Sequence, residues 1–292
     1  MAGASAVLEA IIHGLLLGGL YGVLTLGLSL IFGVLGIINL AHGSLIMLGA
    51  YTAYWMFVLA GFNPLLSLIV AFPLGFIIGV AMYRFIVNRV IDAPHLTWIL
   101  LFFGIMTFID NTALLAWGSE YRGIPFSLPT VEAGGIHVPM SYIVGFVSAM
   151  VMTGGLYVLL YRTRIGKAIR AVSQDREAAA LMGIDVGRIM AVAFALGTAI
   201  TMAGGCILVV VSPTIYIGMG AHWMDLAFCI AVLGGLGSPT GALIGGFIFG
   251  VLETLSIRLG LLPEAVLAPA LAFVILILVL LIRPEGIMGR KV

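Results

Sequence analysis

The chain has 292 residues, of which 62% are hydrophobic and only 9% are charged. A soluble domain carries about 25% charged residues, so this composition excludes a water-soluble globule, whose surface needs that many charges. The formal net charge of +1 gives no indication of nucleic-acid binding. Both cysteines lie in apolar runs, which argues against a disulfide scaffold or a zinc site.

The apolar runs predict an all-α fold, a polytopic transmembrane helical bundle of about eight or nine spans. No Asp, Glu, Lys or Arg occurs between Ala10 and Tyr83, and this stretch accommodates three spans with breaks at 36–43 and at Asn63-Pro64. The short segment 222–236 carries Asp225, so a re-entrant segment with eight crossings in total is the alternative. The nine predicted spans are 12–35, 43–60, 64–83, 96–117, 140–161, 190–211, 222–236, 240–259 and 265–282.

Basic residues predict the orientation, because cytoplasmic loops are enriched in Lys and Arg. Eleven of the 13 lie in three places: the connection after the third span, the connection 162–188, and the C-terminal tail. We expect all three to face the cytoplasm of a bacterial inner membrane, with the N-terminus outside. The first 13 residues carry no Lys or Arg, so we expect no secretory signal peptide. Residues 1–292 are predicted to form a single transmembrane domain.

The connection 162–188 is the only long polar insertion in the chain. Its middle, 175–182, is rich in strong helix formers. Ser173 or Asp175 is a suitable N-cap, and Gly183 is a suitable stop. A helix of about two turns is too short to be stable alone, so we expect it to dock onto the bundle or onto a partner protein.

The string Glu177-Ala178-Ala179-x-x-x-Gly183 resembles the EAA motif of ABC-importer permeases. The resemblance implies a coupling helix that sits in a groove of a cytoplasmic ATPase and transmits its closure to the membrane helices. Small alanines permit close approach, and charged neighbours offer exposed ion pairs. The candidate coupling residues are Asp175, Arg176, Glu177, Ala178, Ala179 and Gly183.

Three further segments, 14–51, 232–253 and 283–289, resemble the branched-chain amino acid ABC permeases. This resemblance implies an importer permease of the ribose/branched-chain amino acid type. Its implied partners are a second homologous permease, two cytoplasmic ATP-binding subunits that hold ATP and Mg, and a periplasmic solute-binding protein. The chain has no Walker A string, so we expect no ATP and no other cofactor on it.

The sequence leaves more than one kind of cargo open. Asp225, and the pair Asp110-Asn111, depart from the family pattern at two places within the membrane spans. Amides, urea or aromatic acids, which close relatives carry, are therefore alternatives to branched-chain amino acids.

The Gly-rich breaks suggest a parallel internal repeat. Leu35-Gly36 and Leu233-Gly234 are each followed, after six residues, by a Gly-rich helix start at Gly43 or Gly241. Broken helices in repeats often flank a transport route. We expect the two breaks to lie near each other and to shape the cytoplasmic half of the route, unless the likeness is a coincidence in a Gly/Leu-rich background.

Polar groups inside apolar spans are costly and need a reason. Each such side chain either contacts the cargo or hydrogen-bonds to backbone groups left free at a helix break or to a neighbouring helix. The candidate translocation residues are Asn39, His42, Ser44, Asp110, Asn111, Ser238 and Glu253.

Two other classes of protein remain as alternatives. An ion-coupled secondary transporter would use Asp110, Asp225 or Glu253 as proton carriers and would need no ATPase. An intramembrane metalloprotease would need an HExxH string, and the sequence has none. We therefore predict no enzyme activity, no catalytic residue and no metal site on this chain.

Overall fold

A computed structural model describes residues 2–126, 128–133, 136–260, 268–283 and 286–289. Helices account for most of it, and each predicted span has a helical counterpart. The helices are α1 Ala2–Leu35, α2 His42–Ala60, α3 Leu68–Phe85, α4 His95–Trp117, α5 Met140–Arg162, α6 Arg164–Gln174, α7 Arg176–Leu181, α8 Val186–Val211, α9 Met219–Gly234, α10 Pro239–Arg258 and α11 Ala268–Ile282.

Seven of these helices, α1–α5, α8 and α10, are long and apolar enough to cross a membrane. Two shorter apolar stretches, Met219–Gly234 and Phe273–Ile282, account for the remaining predicted spans. The third helix begins at Leu68, later than predicted, because 64–67 form turns on the Asn63 carbonyl. The C-terminal basic residues Arg290 and Lys291 lie outside the described residues.

The centre of the bundle is α1, which packs against α5, α8, α9 and α10. Helix α8 is almost wholly buried, whereas α4 is mostly exposed. Glycines at matching positions bring the backbones of α2 and α8 together: a Cβ on Gly49 would overlap the carbonyl of Met202, and one on Gly205 the carbonyl of Ile46. The core therefore depends on small residues, as in close-packed membrane helices.

The first predicted break is a largely buried, non-helical segment between α1 and α2 that returns into the interior of the bundle. Nε2 of His42, the first residue of α2, is 2.7 Å from the Leu24 carbonyl oxygen. Leu24 lies eleven residues before the end of α1, which is about 16 Å of helix. Asn39 supports the segment, since its side-chain oxygen accepts a hydrogen bond from the Ala41 N–H at 3.0 Å. Helix α2 thus begins deep inside the bundle.

The second break, between α9 and α10, is a tight reversal instead. Gly235 and Gly237 have φ values of 100° and 83°, which glycine adopts without strain. The tail supports this turn, because Ile287 N–H donates to the Leu233 carbonyl at 3.0 Å. A Cβ on Gly33, near the end of α1, would overlap the Gly237 carbonyl in this turn, whereas one on Gly43, at the start of α2, would overlap the Gly220 carbonyl instead.

Two short β-pairs lie in the connections 118–139 and 212–218. β1 Arg122–Gly123 pairs with β4 Thr214–Ile215, and β2 Thr130–Ala133 with β3 Ile136–Pro139, both antiparallel. The Arg122 guanidinium lies over the rings of Tyr54 and Trp55, 5.3 and 5.4 Å from their centroids. This connection thereby closes onto α2.

Candidate functional site

The connection 162–188 contains two helices, and sequence analysis predicted only the second. The first, α6, is amphipathic: Gly166, Ile169 and Val172 are buried at three-residue spacing, a pattern that was visible in the sequence. Thr163 caps it by accepting a hydrogen bond from the Gly166 N–H at 3.0 Å. The Arg170 guanidinium lies 4.5 Å from the centroid of the Tyr161 ring. Helix α6 therefore fixes the start of the candidate coupling segment against α5.

The second helix, α7, spans Arg176–Leu181. Of the two predicted caps, Asp175 performs this role, because its Oδ1 accepts hydrogen bonds from Glu177 N–H and Ala178 N–H, both at 2.9 Å. At the other end Gly183 adopts a φ of 80°, the left-handed conformation that commonly terminates a helix. Ala179 is buried and holds α7 to the bundle.

Arg176 connects α7 directly to the central helix. Its Nη2 donates to the Leu35 carbonyl at 2.6 Å and lies 3.3 Å from the Val34 carbonyl. Carbonyls in the last turn of a helix have no intrahelical partner, and a cation is favourable there. The guanidinium therefore joins the start of α7 to the end of α1.

The far end of α7 presents large apolar side chains to solvent. Leu181 is 89% exposed and Met182 is 82% exposed. The charged Glu177 and the small Ala178 are exposed on the same short segment. Sequence analysis singled out the EAA string and missed Leu181 and Met182. Two adjacent large apolar residues in an otherwise polar connection were the available signal.

The predicted translocation residues fall in three separate places. The first is the start of α2, where Ser44 lies seven residues inward of Tyr51. Tyr51 stacks on Trp117 with ring centroids 4.4 Å apart, and Asp110 lies seven residues inward of Trp117. The Ser44 side chain lies beside the Asp110 carboxyl, so the two residues are at the same level of the bundle.

Polar atoms at this level lack partners. Asn39 Nδ2, Ser44 Oγ and Asp110 Oδ1 are buried and make no hydrogen bond to the described residues. His42 differs, since its Nδ1 lies 3.2 Å from Thr201 Oγ1 and its Nε2 contacts Leu24. Asn111 is exposed, and its amide donates to the Thr107 carbonyl at 2.8 Å. One side-chain atom of each of Asn39, Ser44 and Asp110 is therefore left without a hydrogen bond within the described part of the chain, although the other Asn39 side-chain atom, Oδ1, is hydrogen-bonded to Ala41 N–H.

The second place is the turn before α10. Ser238 caps that helix by accepting a hydrogen bond from the Gly241 N–H at 3.0 Å. It also lines a cavity of about 350 Å³ beside the end of α1, together with Tyr157, Arg170 and Met288. Ser238 therefore has a local structural role as well as a position at a cavity.

The third place is a cavity of about 530 Å³ near the start of α1, far along the bundle from Ser238. Glu253 lines it and is only 4% exposed. The structure therefore does not bring Glu253 together with Asp110 or Ser44.

No group of three or more His, Cys, Asp or Glu side chains suited to a metal ion occurs within the described ranges.

Comparisons with known proteins identify the class of molecule. The family described as "Branched-chain amino acid transport system / permease component" matches residues 10–282. The chain is 31% identical to the high-affinity branched-chain amino acid transport permease BraD of Pseudomonas aeruginosa, covering 97% of this chain and 96% of BraD. It is 30% identical to LivH of Escherichia coli K12, with the same coverage. A probable LivH of Methanocaldococcus jannaschii is 30% identical over 91% of this chain and 87% of that protein.

No solved structure matches the chain significantly. The family match and the seven long apolar helices identify a multi-pass membrane permease, a transport component and not itself an enzyme. More particularly, the chain belongs to the permease family of branched-chain amino acid ABC transport systems. Permeases of this kind act together with an ATPase and a solute-binding protein.

Proposed function

We propose that this chain is one of two membrane permeases of an ATP-driven importer that carries branched-chain or related amino acids across the inner membrane. Two ATP-binding subunits supply ATP hydrolysis with Mg, and a periplasmic binding protein delivers the solute. The near-complete coverage of the amino acid permeases supports this cargo. The N-terminus lies outside and the connection 162–188 faces the cytoplasm, as the clustering of basic residues supports.

The coupling proposal rests on the two ends of α7, one exposed to a partner and the other bonded to α1. Leu181 and Met182 are exposed and form the contact with the ATPase, flanked by Glu177 and Ala178. Arg176 ties the other end of α7 to Leu35, so that displacement of α7 moves α1. Because α1 packs against α5, α8, α9 and α10, its displacement changes the packing of the whole bundle.

The Arg176→Ala variant is expected to separate docking from transport. Alanine retains the helix propensity of α7 but removes the bond to the Leu35 carbonyl, a charge-assisted hydrogen bond worth about 1.5–3 kcal/mol. We expect the ATPase to remain bound while ATP-driven uptake falls roughly tenfold or more. The measurement is uptake per ATP hydrolysed in proteoliposomes.

Arg188→Ala is the matched control, since Arg188 is exposed in the same connection and its side chain makes no hydrogen bond to the described residues. Equal uptake by the two variants, at wild-type level, would contradict the coupling role of Arg176.

The translocation route is proposed to follow the exposed face of α4, against the second permease. Asn111 is exposed and Asp110 half-buried about 10 Å inward of the end of α4 at Trp117. An ionisable group at such a depth faces a water-filled route or a protein partner instead of lipid. Ser44, which lies beside Asp110, and Asn39 are 1% and 0% exposed, so they adjoin this surface only from within the bundle. His42 and Ser238 remain predicted members whose hydrogen bonds already support the fold.

Purification of the chain from its native membrane tests the assembly. We expect a second permease and two ATP-binding subunits to co-elute, and mass spectrometry identifies them. In proteoliposomes, uptake of radiolabelled leucine should require ATP and the binding protein, with excess amides, urea and aromatic acids as competitors. Uptake without ATP would contradict the proposal. If only one of the competing solutes blocks leucine uptake, that solute would be assigned as the cargo in place of the amino acid.

A further inference from the structure

A second polar cavity lies away from the proposed route. Parts of α1, α5, α8, α9 and α10 enclose its volume of about 530 Å³, which is within the range of small-molecule sites. Its rim carries Glu9, His13 and Arg258, and its deeper wall carries Tyr21 and Glu253. Neither coupling nor the α4 surface accounts for this cavity.

Glu253 is the unusual feature of the cavity. The side chain is 4% exposed, and its Oε2 atom is buried without a hydrogen-bond partner in the described parts of the chain. A buried carboxylate is costly unless it is paired or hydrogen-bonded. The Tyr21 hydroxyl lies beside this carboxyl group, so one of the two carboxyl oxygens remains without a partner among the described residues.

Three basic residues line the cavity: Arg258 and His13 have other partners, and the His222 ring packs edge-on against Trp223 with centroids 5.2 Å apart. Arg258 lies five residues from Glu253 along α10, about 7.5 Å, and pairs with Glu9 at 3.4 Å. The His13 ring lies 2.9 Å from the His137 carbonyl oxygen. Among the described residues, no salt bridge includes Glu253. The lining therefore has room for an additional positive charge.

The remaining lining suits a short organic cation. Tyr21, Tyr142 and Trp223 line the cavity with aromatic rings, and the centroids of Tyr21 and Trp223 are 6.1 Å apart. Aromatic faces attract ammonium groups. Leu17 and Val211 add apolar surface for an aliphatic chain.

We propose that this cavity binds the primary ammonium group of a short aliphatic amine, with the Glu253 carboxylate as its counter-charge and the aromatic rings around it. An amino acid and a simple alkylamine both carry this group. The site is separate from the α4 surface, so binding is measurable on the purified complex without ATP.

Calorimetric titration of the complex in nanodiscs tests the proposal with three probes. These are 3-methylbutylamine, 4-methylpentanoate and L-leucine, which share an aliphatic chain and differ in the charged end. We expect saturable binding of the amine and none of the carboxylate. Binding of L-leucine as well would assign the site to amino acids, and binding of the amine alone would assign it to simple amines.

Glu253→Gln removes the charge but preserves shape and hydrogen bonding, and it is expected to weaken amine binding about ten- to a hundred-fold. Glu132→Gln, on the exposed β2 strand, is the matched control and should bind normally. Trp223→Leu provides a second variant, with several-fold weaker binding expected. If neither amine nor leucine binds the wild-type complex, or if Glu253→Gln binds the amine normally, the proposal is wrong. If the wild-type complex binds the amine but shows no ATP-driven uptake of leucine, only the proposed function is contradicted.

Discussion

The double variant Leu181→Asp, Met182→Asp is expected to abolish ATP-driven uptake. Both side chains are more than 80% exposed at the end of α7, so aspartate costs the isolated permease little. At an interface, however, each buried apolar anchor contributes about 2 kcal/mol or more. Two charges placed there weaken docking of the ATPase by roughly a thousandfold. Co-purification of the ATPase subunits and uptake in proteoliposomes measure the two effects.

The conservative variant Leu181→Met is the control, because it retains an apolar anchor of similar size. It should co-purify with the ATPase and transport normally. Thermal unfolding of the double variant should match that of the wild type. Normal ATPase binding by the aspartate variant would show that α7 is not the docking element.

Gly49→Val is expected to prevent assembly of the bundle. A Cβ at Gly49 would overlap the backbone carbonyl of Met202, and a backbone group of the buried α8 has no room to move aside. The two helices must then separate, which costs about 3 kcal/mol or more. We expect a large loss of monodisperse protein on size exclusion and a strongly lowered melting temperature in detergent.

Gly154→Val is the matched control for this glycine. Gly154 is also within a membrane helix, but a Cβ there meets no atom within 4 Å. The same valine should therefore leave yield and melting temperature close to those of the wild type. Similar behaviour of the two variants would contradict the role of close α2–α8 packing.

The positions of the membrane helices could be predicted from the sequence, since apolar length is a strong local signal. The cap at Asp175 and the stop at Gly183 were also predictable, because capping depends on neighbouring residues only. The depth at which α2 begins was not. It is set by His42 contacting Leu24 and Thr201, which are far apart in sequence.

The sequence predicted which polar residues are candidates, but it did not predict where in the bundle they lie. Asp110, Ser238 and Glu253 were all notable as polar groups in apolar spans, yet they lie in three separate surroundings. The contact of Arg176 with the end of α1 spans 141 positions, and no local pattern indicates it. Exposure of Leu181 and Met182 depends likewise on which face of α7 the bundle covers.

The deep start of α2 has a consequence for biogenesis. The segment before it is buried and non-helical, and its polar backbone cannot remain exposed to lipid. The principal neighbour of α2 is α8, and His42 meets Thr201 across 159 positions of the chain. Translation must therefore proceed well beyond α2 before the translocon can release it into its final position. Helix α2 can thus reach its final depth only after α8 has been synthesised.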